Sequence, residues 1–149
     1  MSLEQKVMGQ MKSAMLNKEE ATLRGLRAIK AAIILAKTEK GASAELSEEA
    51  EIKLLQKLVK QRKDSMEIFK KEGREDLFQK EEDEVKVIEQ FLPVQMSPDE
   101  LKAALQQIIA DTGASSAADL GKVMGAASKQ LAGKADGKSI AAMVKELLS

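Results

Sequence analysis

A chain of 149 residues is long enough for one domain, or for two small ones sharing an interface. Aromatic residues make up only 2%, as Phe69, Phe78 and Phe91, and the chain is rich in Ala, Leu, Lys, Glu, Gln and Met; this argues against a strand-rich fold and predicts an all-α one. Lys plus Arg (24) balance Asp plus Glu (24), which excludes a uniformly basic nucleic-acid coat, and the lack of His and Cys removes the commonest general base, the usual zinc ligands, the thiol nucleophile and any disulfide.

The first helix is expected from Leu3 to Asn17, with Leu3, Val7, Met8, Met11 and Met15 as its apolar stripe. Asn17-Lys18-Glu19 breaks it. The second runs from about Glu19 to Lys40 on Leu23, Leu26, Ile29, Ile33 and Ile34, with Arg24, Arg27 and Lys30 along a flank, and Gly41 ends it. Residues 41–46 read as a loop. Ser47 is the N-cap of a third helix, followed by Glu48, Glu49 and Glu51, which complement the helix dipole. Its inward residues are expected to be Ile52, Leu55, Leu58, Val59, Met66 and Phe69. Gly73 interrupts, and a fourth helix follows to about Phe91 on Leu77, Phe78, Val85, Ile88 and Leu92. The acidic run Glu81-Glu82-Asp83-Glu84 reads as its solvated face.

The only two prolines, Pro93 and Pro98, mark a stop and a restart. Ser97 as N-cap, Pro98 at N1 and Glu100 at N3 spell a capping box. Two domains are expected: a four-helix bundle over 1–95 and a three-helix bundle over 96–149. The latter has one helix on Leu101, Leu105, Ile108 and Ile109, and a second on Leu120, Val123, Met124, Ala127 and Leu131, capped by Ser115 or Ser116 and closed by Gly133. A third, capped by Asp136, uses Ile140, Met143, Val144, Leu147 and Leu148.

The stretch from Leu120 to the C-terminus departs from the alternating acids and bases upstream. It carries Lys122, Lys129, Lys134, Lys138 and Lys145 against only Asp136 and Glu146. Gly137-Lys138-Ser139 resembles the end of a phosphate loop, but the glycine required five positions earlier is Ala132, and a helix rather than a strand precedes it. Nucleotide hydrolysis is therefore not expected here. Gly121 and Gly125 stand inside a helical pattern, where each glycine costs about 1 kcal/mol relative to alanine. They share one face, which can serve close helix packing or close approach of a ligand backbone. Lys122 and Lys129, seven apart, also share a face, while Lys134 and Lys138 flank the start of the last helix, where free N–H groups attract anions. This is a candidate landing site for a nucleic-acid backbone, without aromatic side chains for base stacking. Carboxylate pairs such as Asp64–Glu67 and Glu72–Glu75 sit in no evident pocket, so no catalytic residue, cofactor or metal ligand is assigned.

Several motifs in order resemble the YqeY family, of the GatB/YqeY domain group. They are Gln61-Arg62-Lys63-Asp64-Ser65, Gly73-Arg74-Glu75-Asp76-Leu77, Glu89-Gln90-Phe91-Leu92-Pro93, Thr112-Gly113-Ala114-Ser115-Ser116, Asp119-Leu120-Gly121-Lys122-Val123-Met124-Gly125 and Ala135-Asp136-Gly137-Lys138. Position 91 is Phe where that family often has Tyr. The resemblance implies two all-helical bundles, of four and three helices. It also implies that the C-terminal part is similar to the tail domain of the tRNA-dependent amidotransferase B subunit, which helps hold tRNA at its elbow while the chemistry occurs in other domains.

The expectation is thus a non-catalytic, tRNA-binding-type helical module in the cytoplasm, using Lys122, Lys129, Lys134 and Lys138 with Gly121 and Gly125. The MSLEQKVMGQ start has no apolar segment of the signal-peptide kind. Two alternatives stand beside it: a protein-interaction module docking on a translation-related partner, and an accessory subunit of a carbon–nitrogen ligase with glutamine as amido-N-donor. The ligase activity is implied by kinship alone.

Overall fold

The computed structural model describes residues 1–41 and 45–149; the central part of the loop expected over 41–46 lies outside the described residues. The fold is all-helical, with no strand among the described residues. The elements are α1 (Leu3–Leu16), α2 (Glu20–Lys40), α3 (Glu48–Lys71), α4 (Glu75–Glu89), α5 (Pro98–Thr112), a 3-10 turn (Ala117–Asp119), α6 (Leu120–Gln130) and α7 (Gly137–Leu148). The chain divides into two compact units, Met1–Leu92 and Pro93–Ser149.

Local chemistry sets most helix starts. The Ser47 side chain accepts the Ala50 N–H. Ser97 and Glu100 form the reciprocal capping box with Pro98 in the first turn. Asp136 accepts the Ser139 N–H at 2.7 Å. A second capping box, Ser2 with Gln5, opens α1 and was not anticipated. The serines before α6 act differently from expectation. Ser116 makes no side-chain cap; the chain first makes the 3-10 turn, and Asp119 instead accepts the Ser115 N–H at 3.0 Å.

In the first unit, Leu26, Ile29, Ile33, Leu55 and Ile88 are buried at the centre, with Leu3, Val7 and Ala14 closing one side. The α1 N-terminus is tied in by Glu51 of α3, whose carboxylate accepts the Leu3 N–H at 2.8 Å. Three expected stripe positions turn outward: Met8 and Met15 on α1 and Ile34 on α2 are exposed. The inner stripe of α1 is Leu3, Val7 and Ala14, with Met11 half-buried at its edge. Phe69, Leu77 and Phe78 are half-buried. The acidic run of α4 is also only half-exposed, because it lies on the same helix that buries Val85, Val87 and Ile88.

The packing of α4 on α2 depends on Gly25. A Cβ at this position would lie 2.7 Å from Val87 Cβ and 2.8 Å from Val87 Cγ1. Such a contact cannot form without moving a helix, so the absence of a side chain sets how closely the two backbones approach. Two effects compete in Gly25→Ala: a helix-propensity gain of about 1 kcal/mol and an overpacking cost of about 1–3 kcal/mol. The clash is with a Cβ fixed to backbone, which places the cost at the upper end. Gly25→Ala is expected to lose about 2 kcal/mol in urea unfolding, and adding Val87→Ala is not expected to restore it, because the offending Cβ remains.

Candidate nucleic-acid interface

In the second unit, Leu101, Leu105 and Ile108 of α5 pack with Val123 and Ala127 of α6 and with Ile140, Val144 and Leu148 of α7. With that side of α6 committed to the core, the other side faces solvent. Gly121, Lys122, Gly125 and Lys129 are all exposed. Nothing lies within 4 Å of where a Cβ on Gly121 or Gly125 would sit. Among the described residues, helix packing within this unit therefore does not account for these two glycines. They form a bare, open strip flanked by the two lysines.

The turn between α6 and α7 is held from the entry segment of the unit. Gly133 has φ +76, the left-handed conformation that glycine adopts without a Cβ penalty, and it is buried. Its carbonyl accepts from Gln95 Nε2 at 2.7 Å, and the same amide also reaches the Pro93 carbonyl at 2.8 Å. The Met96 N–H donates to the Lys134 carbonyl at 2.9 Å. These bonds fix the backbone that carries Lys134. The side chains of Lys134 and Lys138 are exposed. One expectation is modified here. The α7 N-terminus is not wholly open to an outside anion, because Asp136 already occupies the Ser139 N–H and also accepts from the Ser139 hydroxyl at 3.0 Å. Among the described residues, none of Lys122, Lys129, Lys134 and Lys138 holds an ion pair. Lys122 and Lys129 share one helix, Lys134 and Lys138 the adjoining turn and the start of the next.

Within this unit Glu100 is held below its ordinary carboxylate range by the Ser97 N–H and hydroxyl. It serves the helix cap rather than any reaction.

The first unit contains the other clusters that chemistry could use. Asp64, Glu67, Glu72 and Glu75 are exposed, and Glu67 pairs with Lys71 at 3.7 Å. A recess of about 180 Å3 lies at the α1 N-terminus, lined by Leu3, Ile33, Leu46, Lys37 and Glu51 among others. Two of its polar groups are engaged: Glu51 by Leu3 N–H and Lys37 by Glu4. Between α3 and α4, Arg62 is mostly buried. It donates to the Leu58 carbonyl at 3.2 Å and approaches Glu84 at 4.0 Å, while its Nε is buried without a partner. Burial, and then the neighbouring Glu84, push Glu81 above the usual carboxylate range against the pull of Arg62. Sequence reasoning treated this run as a solvated face and missed the cluster; the only signal for it was Arg62, carried in a motif of the family resemblance. Among the described residues, no group of His, Cys, Asp and Glu is arranged to hold a metal ion, and no helix is long and apolar enough to cross a membrane.

The family whose description is Yqey-like protein, YqeY, matches residues 4–148. The chain belongs to the YqeY family. The match runs through both units, so the lysine- and glycine-bearing face of α6 and the Arg62 cluster both lie within the part that defines membership. No curated protein matches the chain.

Two expectations follow from this geometry. Gln95→Ala removes both amide hydrogen bonds that clamp the Gly133 turn and leaves a buried carbonyl short of a donor; a loss of about 1–2 kcal/mol is expected in urea unfolding. Because the Glu81 carboxyl has a raised value in the folded state, its stabilising contribution is full at low pH and is lost as pH rises through that folded value. Glu81→Gln is therefore expected to raise the thermal midpoint at neutral pH, with the advantage shrinking towards about pH 4.

Proposed function

We propose that this chain is a non-catalytic RNA-binding module that holds tRNA through the sugar–phosphate backbone. The contact surface is the outer side of α6 with the α6–α7 turn: Lys122, Lys129, Lys134 and Lys138 neutralise phosphates, and Gly121 and Gly125 let the strand come close to the helix. The observation that carries the reading is the pair of open glycines. Gly125, in the helix interior, costs about 1 kcal/mol of helix stability, Gly121 in the first turn costs less, and no neighbour among the described residues fills the space they leave. An external backbone approaching the helix gives that cost a purpose. The choice of tRNA over other RNAs follows the resemblance of this unit to the amidotransferase tail domain. No side chain on this surface can stack on a base, so the duplex shape of a folded RNA is the feature recognised.

In filter binding at low salt the chain is expected to retain tRNA, with an affinity that falls steeply as salt rises. Lys122→Glu with Lys129→Glu is expected to weaken retention at least about tenfold. The glycines give a sharper test because stability and binding move in opposite directions. Gly121→Ala with Gly125→Ala is expected to stabilise the fold and raise the thermal midpoint, by up to about 1 kcal/mol of unfolding free energy at Gly125 and less at Gly121 in the first turn, since each new Cβ meets open space. Gly121→Leu with Gly125→Leu keeps the fold but reduces tRNA retention. Failure of the parent chain to retain tRNA, or unchanged retention in the lysine variant, ends this reading.

A further inference from the structure

The α1–α2 hairpin has an outer seam that the RNA reading does not use. The Lys37 side chain pairs with Glu4, which pins the two helices side by side in opposite directions. One turn further along each helix, this register brings Met8 level with Ile34; three turns in, it brings Met15 level with Arg27. Met8 and Met15 are seven residues apart and share a face of α1. They are 50% and 59% exposed, and Ile34 is 50% exposed, so the seam presents three large apolar side chains that the described residues leave largely uncovered. Lys12, Arg27 and Lys30 lie along the same two flanks. Among the described residues none of these cations holds an ion pair. The one acid on this flank of α1, Glu4, is already engaged by Lys37, and the other acids of the hairpin, Glu19, Glu20 and Glu39, lie at its two ends.

We infer that this seam is a docking groove for an acidic amphipathic helix of a partner protein. The shape and the charge each point there. Two adjacent helices leave a shallow groove between them into which a third helix lays its apolar stripe at i, i+3, i+4 and i+7 spacing. Methionine is the residue best able to mould to such a stripe, being unbranched and polarisable. The unpaired cations beside it meet acids at the edges of the incoming helix, and their aliphatic stems extend the apolar floor. A membrane surface fits less well: the hairpin has no aromatic residue to sit at an interface, and its cations stand among the apolar side chains rather than around them. This inference does not depend on the RNA reading, because the groove belongs to the first unit and the lysine face to the second.

The test uses the full chain and a fluorescent helix-forming peptide of about 18 residues. The peptide carries Leu at one stripe and Glu on both flanks, and a control replaces each Glu with Lys. Anisotropy is expected to show saturable binding of the acidic peptide and none, or at least about tenfold weaker binding, of the basic one. Met8→Gln with Ile34→Gln is expected to weaken binding about tenfold or more, and Lys12→Glu with Arg27→Glu to do the same. Both sets change exposed positions, and a thermal melt beside each confirms the fold; the charge-reversed pair decides the matter if the apolar pair melts early. The inference is overturned if no binding appears up to about 1 mM peptide or if the basic peptide binds equally. Parent-like binding by the charge-reversed pair overturns it as well. So does capture of the chain by phosphatidylglycerol vesicles, but not phosphatidylcholine ones, with no peptide binding.

Discussion

The first unit depends on one close approach, that of α4 to α2 at Gly25. Because no side chain stands there, Val87 comes within a distance that a Cβ would forbid. That approach brings Ile88 against Leu26, Ile29 and Ile33 of α2, while α3 adds Leu55 to the same core. A short aliphatic core of this kind excludes water without large aromatic side chains, at about 25 cal/mol for each Å2 of apolar surface removed. The same contact has consequences at the edge of the core. Drawing α4 inward takes the acidic run Glu81–Glu84 partly out of water, which raises Glu81 against the pull of the mostly buried Arg62.

The second unit solves a different problem with fewer residues. Three helices commit their apolar sides to one small core, and the turn before α7 is locked by Gln95 and Met96 from the entry segment. The outward sides are then free of structural duty. Such freedom is what makes Gly121 and Gly125 informative, since a glycine in a helix either serves packing or serves nothing inside the chain. Membership of the YqeY family covers this unit and the first together. The proposed RNA-binding face and the proposed docking groove differ in chemistry: the first is lysine-bearing, the second apolar and flanked by cations.

Much of the local architecture was legible beforehand because its causes are local. Ser47, Ser97 with Pro98 and Glu100, and Asp136 each act on N–H groups within three residues, so their types and spacing suffice. Where that logic failed, a local competitor had won: Asp119 took the Ser115 N–H, and a 3-10 turn preceded α6. The lysines, and their place beside Gly121 and Gly125, were legible; whether that face packs against another helix was not. Periodicity put Gly121 and Gly125 on one face, and only the position of α5 and α7 decided that this face is the open one.

By itself, then, the sequence determined the helical class, the caps at Ser47, Ser97 and Asp136 and the break at the two prolines, because those follow from composition and from contacts a few residues apart. Tertiary structure alone decided which edge of each apolar stripe is buried. Met8 and Ile34 have the same apolar character as Val7 and Ile33, yet they stand outside, because a helix stripe is wider than the contact its neighbours offer. It also decided the role of Gly25, whose partner Val87 is remote in the chain and meets it only when two helices cross. Burial and close approach are properties of pairs of elements, and no single segment carries them.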